Sequence, residues 1–155
     1  MTVHSAGILA YRFRSGELEV LLVHPGGPFW AGKDAGAWSI PKGIYEDDEQ
    51  PLEAALREFR EETGYAAAGP FIELGELRQA SGKIVHAWAA EGDFDVSQLR
   101  SNTFTLEWPR GSGHVREYPE VDRGAWFGRG EAREKILEGQ REFLDRLPRR
   151  LVRAL

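Results

Sequence analysis

The sequence predicts an α/β sandwich, and three observations carry that prediction. Short apolar stretches of strand length recur along the chain, and a few helical patterns stand between and after them. The first two apolar stretches alternate imperfectly between apolar and polar residues, as strands buried on both faces do. With 155 residues the chain corresponds to one domain, residues 1–155, at roughly 100–200 residues per domain. No repeat, low-complexity tract or Pro/Ser linker divides it. A chain of this length buries a core without staples, and it has no Cys. That excludes a disulfide framework, a Cys-ligated zinc site and a thiol nucleophile.

Each element has its own signal. Ser5–Arg12 and Glu19–His24 read as strands joined by the turn Ser15-Gly16. A Gly- and Pro-rich loop from Pro25 to Gly36 follows, carrying the aromatic pair Phe29-Trp30. Ala37–Ile40 is a short apolar strand ending at Pro41-Lys42-Gly43. Residues Pro51 to Glu62 form a helix, with Pro51 suited to its first turn and Gly64 just past its end. Further strands are expected at Phe71–Leu77, Lys83–Ala90, Thr103–Glu107 and Arg123–Phe127, with Arg116–Glu120 in a loop. Helical stretches at Gly130–Leu137 and Gln140–Leu147 close the chain, and Arg146, Arg149, Arg150 and Arg153 form a solvated basic tail. The longest aliphatic run, Val20–Val23, is far short of the ~20 residues a membrane span needs. The N-terminus lacks the features of a signal peptide, so a cytoplasmic location and no membrane partner are expected.

The charge is unevenly placed. The chain carries a net −5, and residues 46–62 alone hold eight acids against Arg57 and Arg60. The remainder is close to neutral, so the excess acid lies in one segment. A cation site and a solvated helix face both fit that count. Position along the helix separates them. Leu52, Ala55, Leu56 and Phe59 form one apolar stripe, and Glu58, Glu61 and Glu62 share a neighbouring face. Three carboxylates there repel one another, and they sit late in the helix, where the macrodipole disfavours them. Arg57, four residues before Glu61, answers part of the repulsion; a divalent cation with oxygen ligands answers all of it.

These residues carry a resemblance. Gly43, Glu49 and the run Arg57-Glu58-Phe59-Arg60-Glu61-Glu62-Thr63-Gly64-Tyr65 resemble the Nudix box at every position, Tyr65 being the softest match. Seven fixed positions of this kind recur by chance with a probability on the order of 10⁻⁸ per start. The order of strands and helices also looks like the Nudix fold, an α/β/α sandwich with a mixed sheet and the box as a loop–helix–loop. The resemblance implies hydrolysis of a pyrophosphate bond in a nucleoside-diphosphate-linked substrate by water attacking phosphorus. It implies Mg²⁺, with Mn²⁺ as the substitute, held by Glu58, Glu61, Glu62 and the Lys42 carbonyl. Arg57 would orient the carboxylates, Glu49 would tie the loop to the helix, and Gly43 would serve a turn in which a Cβ is unwelcome.

The residue that takes the proton from the attacking water varies within the family, lying either in the box, where Glu58 counts with Arg57 as catalytic, or on a later loop. Glu120, six residues before Trp126, is the expected one, with Glu117 and Glu107 as rivals. Pro41-Lys42-Gly43 resembles the start of the box in dinucleoside polyphosphate hydrolases, and Lys42 would add a point charge for a long polyphosphate. Phe29, Trp30 and Tyr118 are loop aromatics suited to stacking on a base; Trp88 and Trp126 are assigned to the core. His4, His24 and His86 are spaced too irregularly for a zinc site, and His114 reads as solvated. The leading expectation is therefore a hydrolase of dinucleoside polyphosphates or nucleoside triphosphates, with a nucleotide as its partner rather than a nucleic acid. The alternatives are a Nudix enzyme for ADP-ribose or capped RNA and a Nudix-fold module that senses a nucleotide without turnover. Such modules usually lack box acids, which are all present here. Isopentenyl-diphosphate isomerase chemistry on this fold relies on a Cys, which is absent.

Overall fold

Strand β1 (His4–Arg14) is the axis of the structure, and its apolar sequence shows why: every residue from Ser5 to Tyr11 is buried. A computed structural model of the chain describes residues 2–152. A strand buried in this way needs partners on both edges and cover on both faces. On one edge β1 pairs in parallel with β5 (Ile84–Glu91), from His4↔Ile84 to Tyr11↔Glu91. On the other edge two antiparallel partners share it. Strand β2 (Glu17–Pro25) lies beside Tyr11–Arg14, and the short β3 (Lys42–Ile44) lies beside Ser5–Gly7. Strand β4 (Phe71–Arg78) adds to β5 and β8 (Val121–Gly128) to β2, which gives the mixed order β4-β5-β1-β2-β8 with β3 off β1. The expected turn closes the first hairpin: Ser15 and Gly16 both have positive φ, as a two-residue hairpin turn requires.

The imperfect alternation of β1 and β2 is explained by two cores. Ile8, Ala10 and Leu21 face helix α1 (Pro51–Thr63) and pack with its Ala54, Ala55 and Phe59. Leu9, Tyr11, Val20 and Leu22 face the other way, onto Trp38, Ile136, Phe143 and Leu144. Helices α2 (Arg129–Lys135) and α3 (Glu142–Asp145) cover that second face, so the layers are helix, sheet, helix, as the resemblance implies. The described chain closes with a one-turn helix, α4 (Arg149–Val152). No helix among the described residues is long and apolar enough to cross a membrane.

Four expectations need correction. Ala37–Ile40 is not a strand, and its backbone meets β2 at a single bridge, Val23↔Ser39. Its backbone is claimed elsewhere: Trp38 N–H donates to the Lys135 carbonyl, and Ile40 N–H donates to Oε1 of the buried Gln140. The segment Val115–Pro119, read within a loop, is strand β7, paired with β6 (Thr103–Glu107) in a separate ribbon. The helix expected at Gln140–Leu147 shrinks to α3 because Gln140 belongs to a tight turn that serves Ile40. Finally, Arg146 is not a tail residue: its Nη1 donates to the carbonyls of Leu74 and Glu76 at 2.9 Å each. Arg153 lies outside the described residues. Of the two tryptophans assigned to the core, Trp88 is buried and stacked on His86, whereas Trp126 is half-buried beneath Arg12.

Candidate active site

Helix α1 places the acids. Its apolar stripe is buried against the sheet, with Ala55 and Phe59 fully enclosed, and that fixes the rotation of the helix. The helix ends as its sequence predicts: Gly64 adopts a left-handed conformation with φ 82°, and its N–H donates to the Arg60 carbonyl at 2.8 Å. Glu58, Glu61 and Glu62 are thereby turned toward β3, lining a cleft of about 310 Å³ together with Lys42, Gly43 and Glu120.

Arg57 bonds to three carboxylates of the box segment, Glu49, Glu58 and Glu61. Its Nε and Nη2 donate to the two oxygens of Glu49 at 2.8 and 2.9 Å, a bidentate pair that ties the preceding loop to the helix. Its Nη1 donates to Glu58 Oε1 at 2.9 Å and to Glu61 Oε2 at 3.2 Å. The bond to Arg57 holds Glu49 below the usual carboxylate range, and the same bond raises Arg57.

A Cβ is unwelcome at Gly43, as expected, but the reason is a close approach and not a turn. It is not among the glycines with positive φ, so no turn demands it. A Cβ at this position would stand 2.0 Å from Glu58 Cδ. The strand can lie this close to the helix because residue 43 has no side chain.

The cleft is short of positive charge. Burial, reinforced by Glu58, pushes the Glu62 carboxyl up to about 8, against the opposing pull of Lys42. Burial likewise raises Glu58, although Arg57 pulls it down. Lys42 is lowered by its own burial despite Glu62 and Glu58 nearby. Among the described residues, no three acidic or histidine side chains already stand in metal-binding geometry. Glu58 and Glu61 are instead turned onto Arg57. The donor set still fits a hard divalent cation, since it consists of oxygen ligands whose mutual repulsion a cation relieves.

Glu120 lies more than 50 positions beyond the box, and backbone bonds bring it to the same cleft. The N–H of Asn102 donates to the Glu61 carbonyl, and the N–H of Glu120 donates to the Asn102 carbonyl, each at 2.8 Å. Gly26 N–H donates to the Glu120 carbonyl at 3.0 Å from the other side. The rivals are elsewhere: Glu107 accepts from the N–H groups of Gly111 and Gly113 in the ribbon loop, and Glu117 is an exposed residue of β7. Asn102, which also lines the cleft, has no signal in the sequence.

A second hollow of about 240 Å³ adjoins the acidic cleft and shares Lys42, Glu62 and Glu120 with it. Val23, Ile40 and Leu137 give it an apolar wall with Trp30 at its side. Of the expected base-stacking aromatics, Trp30 alone lines either cleft. Phe29 is 58% exposed, and Tyr118 turns its ring toward Phe104 within the ribbon.

The structure thus sets a carboxylate cluster at one end of an apolar hollow, carried on a mixed α/β sandwich. The chain belongs to the NUDIX domain family, whose profile matches residues 1–147. It is 39% identical over 66 residues to the rat bis(5'-nucleosyl)-tetraphosphatase (asymmetrical), a match covering 38% of this chain and 45% of that protein. Three curated relatives that it matches are each spanned over less than half of their length. Solved structures share the fold. The NUDIX domain of Shewanella oneidensis NrtR, complexed with ADP ribose, superposes with a TM-score of 0.67 at 17% identity over 97% of this chain and 89% of that one. A Caenorhabditis elegans Ap4A hydrolase superposes with a TM-score of 0.61 at 23% identity, covering 94% of each chain.

Proposed function

We propose that this protein is a Mg²⁺-dependent pyrophosphohydrolase whose substrate is a dinucleoside polyphosphate or a nucleoside triphosphate. The observation that carries the reading is the shared wall of the two clefts. Lys42, Glu62 and Glu120 border both the acidic cleft and the apolar hollow with Trp30, so a nucleotide lying across them would place phosphates at the acids and a base at the tryptophan. Nudix hydrolases generally use divalent metal ions. Glu58, Glu61, Glu62 and the Lys42 carbonyl are the groups that would hold Mg²⁺, which neutralises phosphate oxygens and lowers the pKa of the attacking water. Arg57 holds Glu58 and Glu61 in register. Glu120 accepts the proton as water oxygen bonds to phosphorus and the anhydride oxygen leaves with the departing phosphate. Lys42 adds positive charge beside the phosphate chain. The name of the rat relative, a tetraphosphatase, agrees with a long polyphosphate.

The test is kcat/KM for diadenosine tetraphosphate, GTP and ADP-ribose at equal Mg²⁺, for the parent and for Lys42→Ala. The polyphosphates are expected to be hydrolysed faster than ADP-ribose, with Lys42→Ala eroding that advantage. A parent that prefers ADP-ribose, or a Lys42→Ala variant with unchanged rates and ranking, overturns the substrate reading.

A further inference from the structure

We propose that His24 is a positioning residue for base recognition: it fixes the loop that presents Trp30 to a nucleobase. The inference rests on reading the apolar hollow as the base end of a nucleotide site. His24 lies on β2 with 0% exposure, and a buried imidazole is costly unless both its nitrogens are satisfied. Both are. Nε2 stands 2.6 Å from the Lys33 carbonyl, and Nδ1 stands 3.0 and 3.2 Å from the two oxygens of Asp122. A carbonyl only accepts, so Nε2 carries a proton and donates it to Lys33. Arg123 Nη1 completes the cluster, 3.3 Å from Asp122 Oδ1 and 3.4 Å from Nδ1.

The tie reaches Trp30 through Lys33. Lys33 N–H donates to the Trp30 carbonyl at 2.9 Å, and the Lys33 ammonium stands 4.1 Å from the centre of the Phe29 ring and 5.1 Å from that of Trp30. The next residue, Asp34, is held by Trp38 Nε1 at 2.8 Å and by Lys135. A Gly-rich loop that would otherwise be loose is thus pinned at Lys33-Asp34, with its aromatic pair set in place before any ligand arrives. Pre-ordering of this kind lowers the entropy cost of binding. It acts at the base end only, because the phosphate end is built by α1, β3 and Glu120.

That division sets the experiment: Kd for ATP and for inorganic tripolyphosphate, measured by calorimetry with Ca²⁺ in place of Mg²⁺. For His24→Leu we expect Kd for ATP to rise about fivefold or more, the weight of one lost base stack, with tripolyphosphate unchanged. His24→Gln, which keeps a donor toward Lys33, is expected to fall between it and the parent. If His24→Leu does not fold, Asp122→Ala cuts the same tie from the solvent side and carries the same expectation. In a Trp30→Ala background the His24 effect should vanish. Equal weakening of both ligands, or an effect that simply adds to Trp30→Ala, overturns the assignment. If ADP-ribose proves the preferred substrate, the comparison is made between ADP-ribose and ribose 5-phosphate, so the polyphosphate reading falls without the His24 assignment.

Discussion

Glu62 stands beside Glu58 in a cleft with few cations, and burial together with that neighbour pushes its carboxyl up to about 8. An unfolded glutamate titrates at about 4.3, so between those values the folded chain binds more protons than the unfolded one. Stability without metal therefore falls as pH rises through that window. Glu62→Gln removes this dependence, and its melting temperature is expected to match the parent near pH 4 and exceed it by pH 8. The same variant, and Glu61→Gln, should lose turnover by orders of magnitude while remaining folded; near-normal rates in both would refute the metal assignment. Glu120 makes a separate claim. Glu120→Gln is expected to lower kcat by about 10²–10⁴-fold with little change in KM, as loss of a general base does. Glu117→Gln, outside the cleft, serves as the control, and a larger effect there would move the base.

At the scale of elements, helix α1 and strand β3 form one unit, and Gly43 sets the distance between them. A Cβ there would stand 2.0 Å from Glu58 Cδ, so Gly43→Ala must displace either the strand or a box carboxylate. The helix itself should survive, since its stripe and its Gly64 cap are untouched. The expected result is a normal helical spectrum with a raised Mg²⁺ requirement for activity; unchanged Mg²⁺ dependence would show that the contact is idle. The ribbon β6–β7 illustrates a different limit. Four of the five residues in β7 are exposed, so no apolar face marks that strand in the sequence. Its pairing with β6 sets the register that leads to Glu120, so an element without a sequence signal positions a proposed catalytic residue.

For the whole molecule, a metal bound to the folded chain alone stabilises it by mass action. At about 100 times Kd the gain is about 2.7 kcal/mol, and each kcal/mol raises Tm by about 2–4 °C in a chain of this size. The parent should show this Mg²⁺-dependent rise, and Glu58→Gln should lose most of it. Much of the architecture was legible without coordinates: β1, β2, α1 and the later sheet strands carry apolar runs or stripes that only one geometry buries well. The box was legible for the same reason, because its helix, its cap and its Arg57 pairs join residues within a single short segment. Ala37–Ile40 misled because its apolar residues suit a strand while its backbone bonds to α2 and Gln140. The acid face and the family follow from residues that are neighbours along the chain. Folding at long range is what joins Glu120 to those acids through Asn102, turns Trp30 rather than Phe29 or Tyr118 to the hollow, and buries His24 against Asp122 beneath its loop. Those contacts join residues up to about a hundred positions apart, and they depend on strand register, where a shift of one residue turns every side chain to the opposite face.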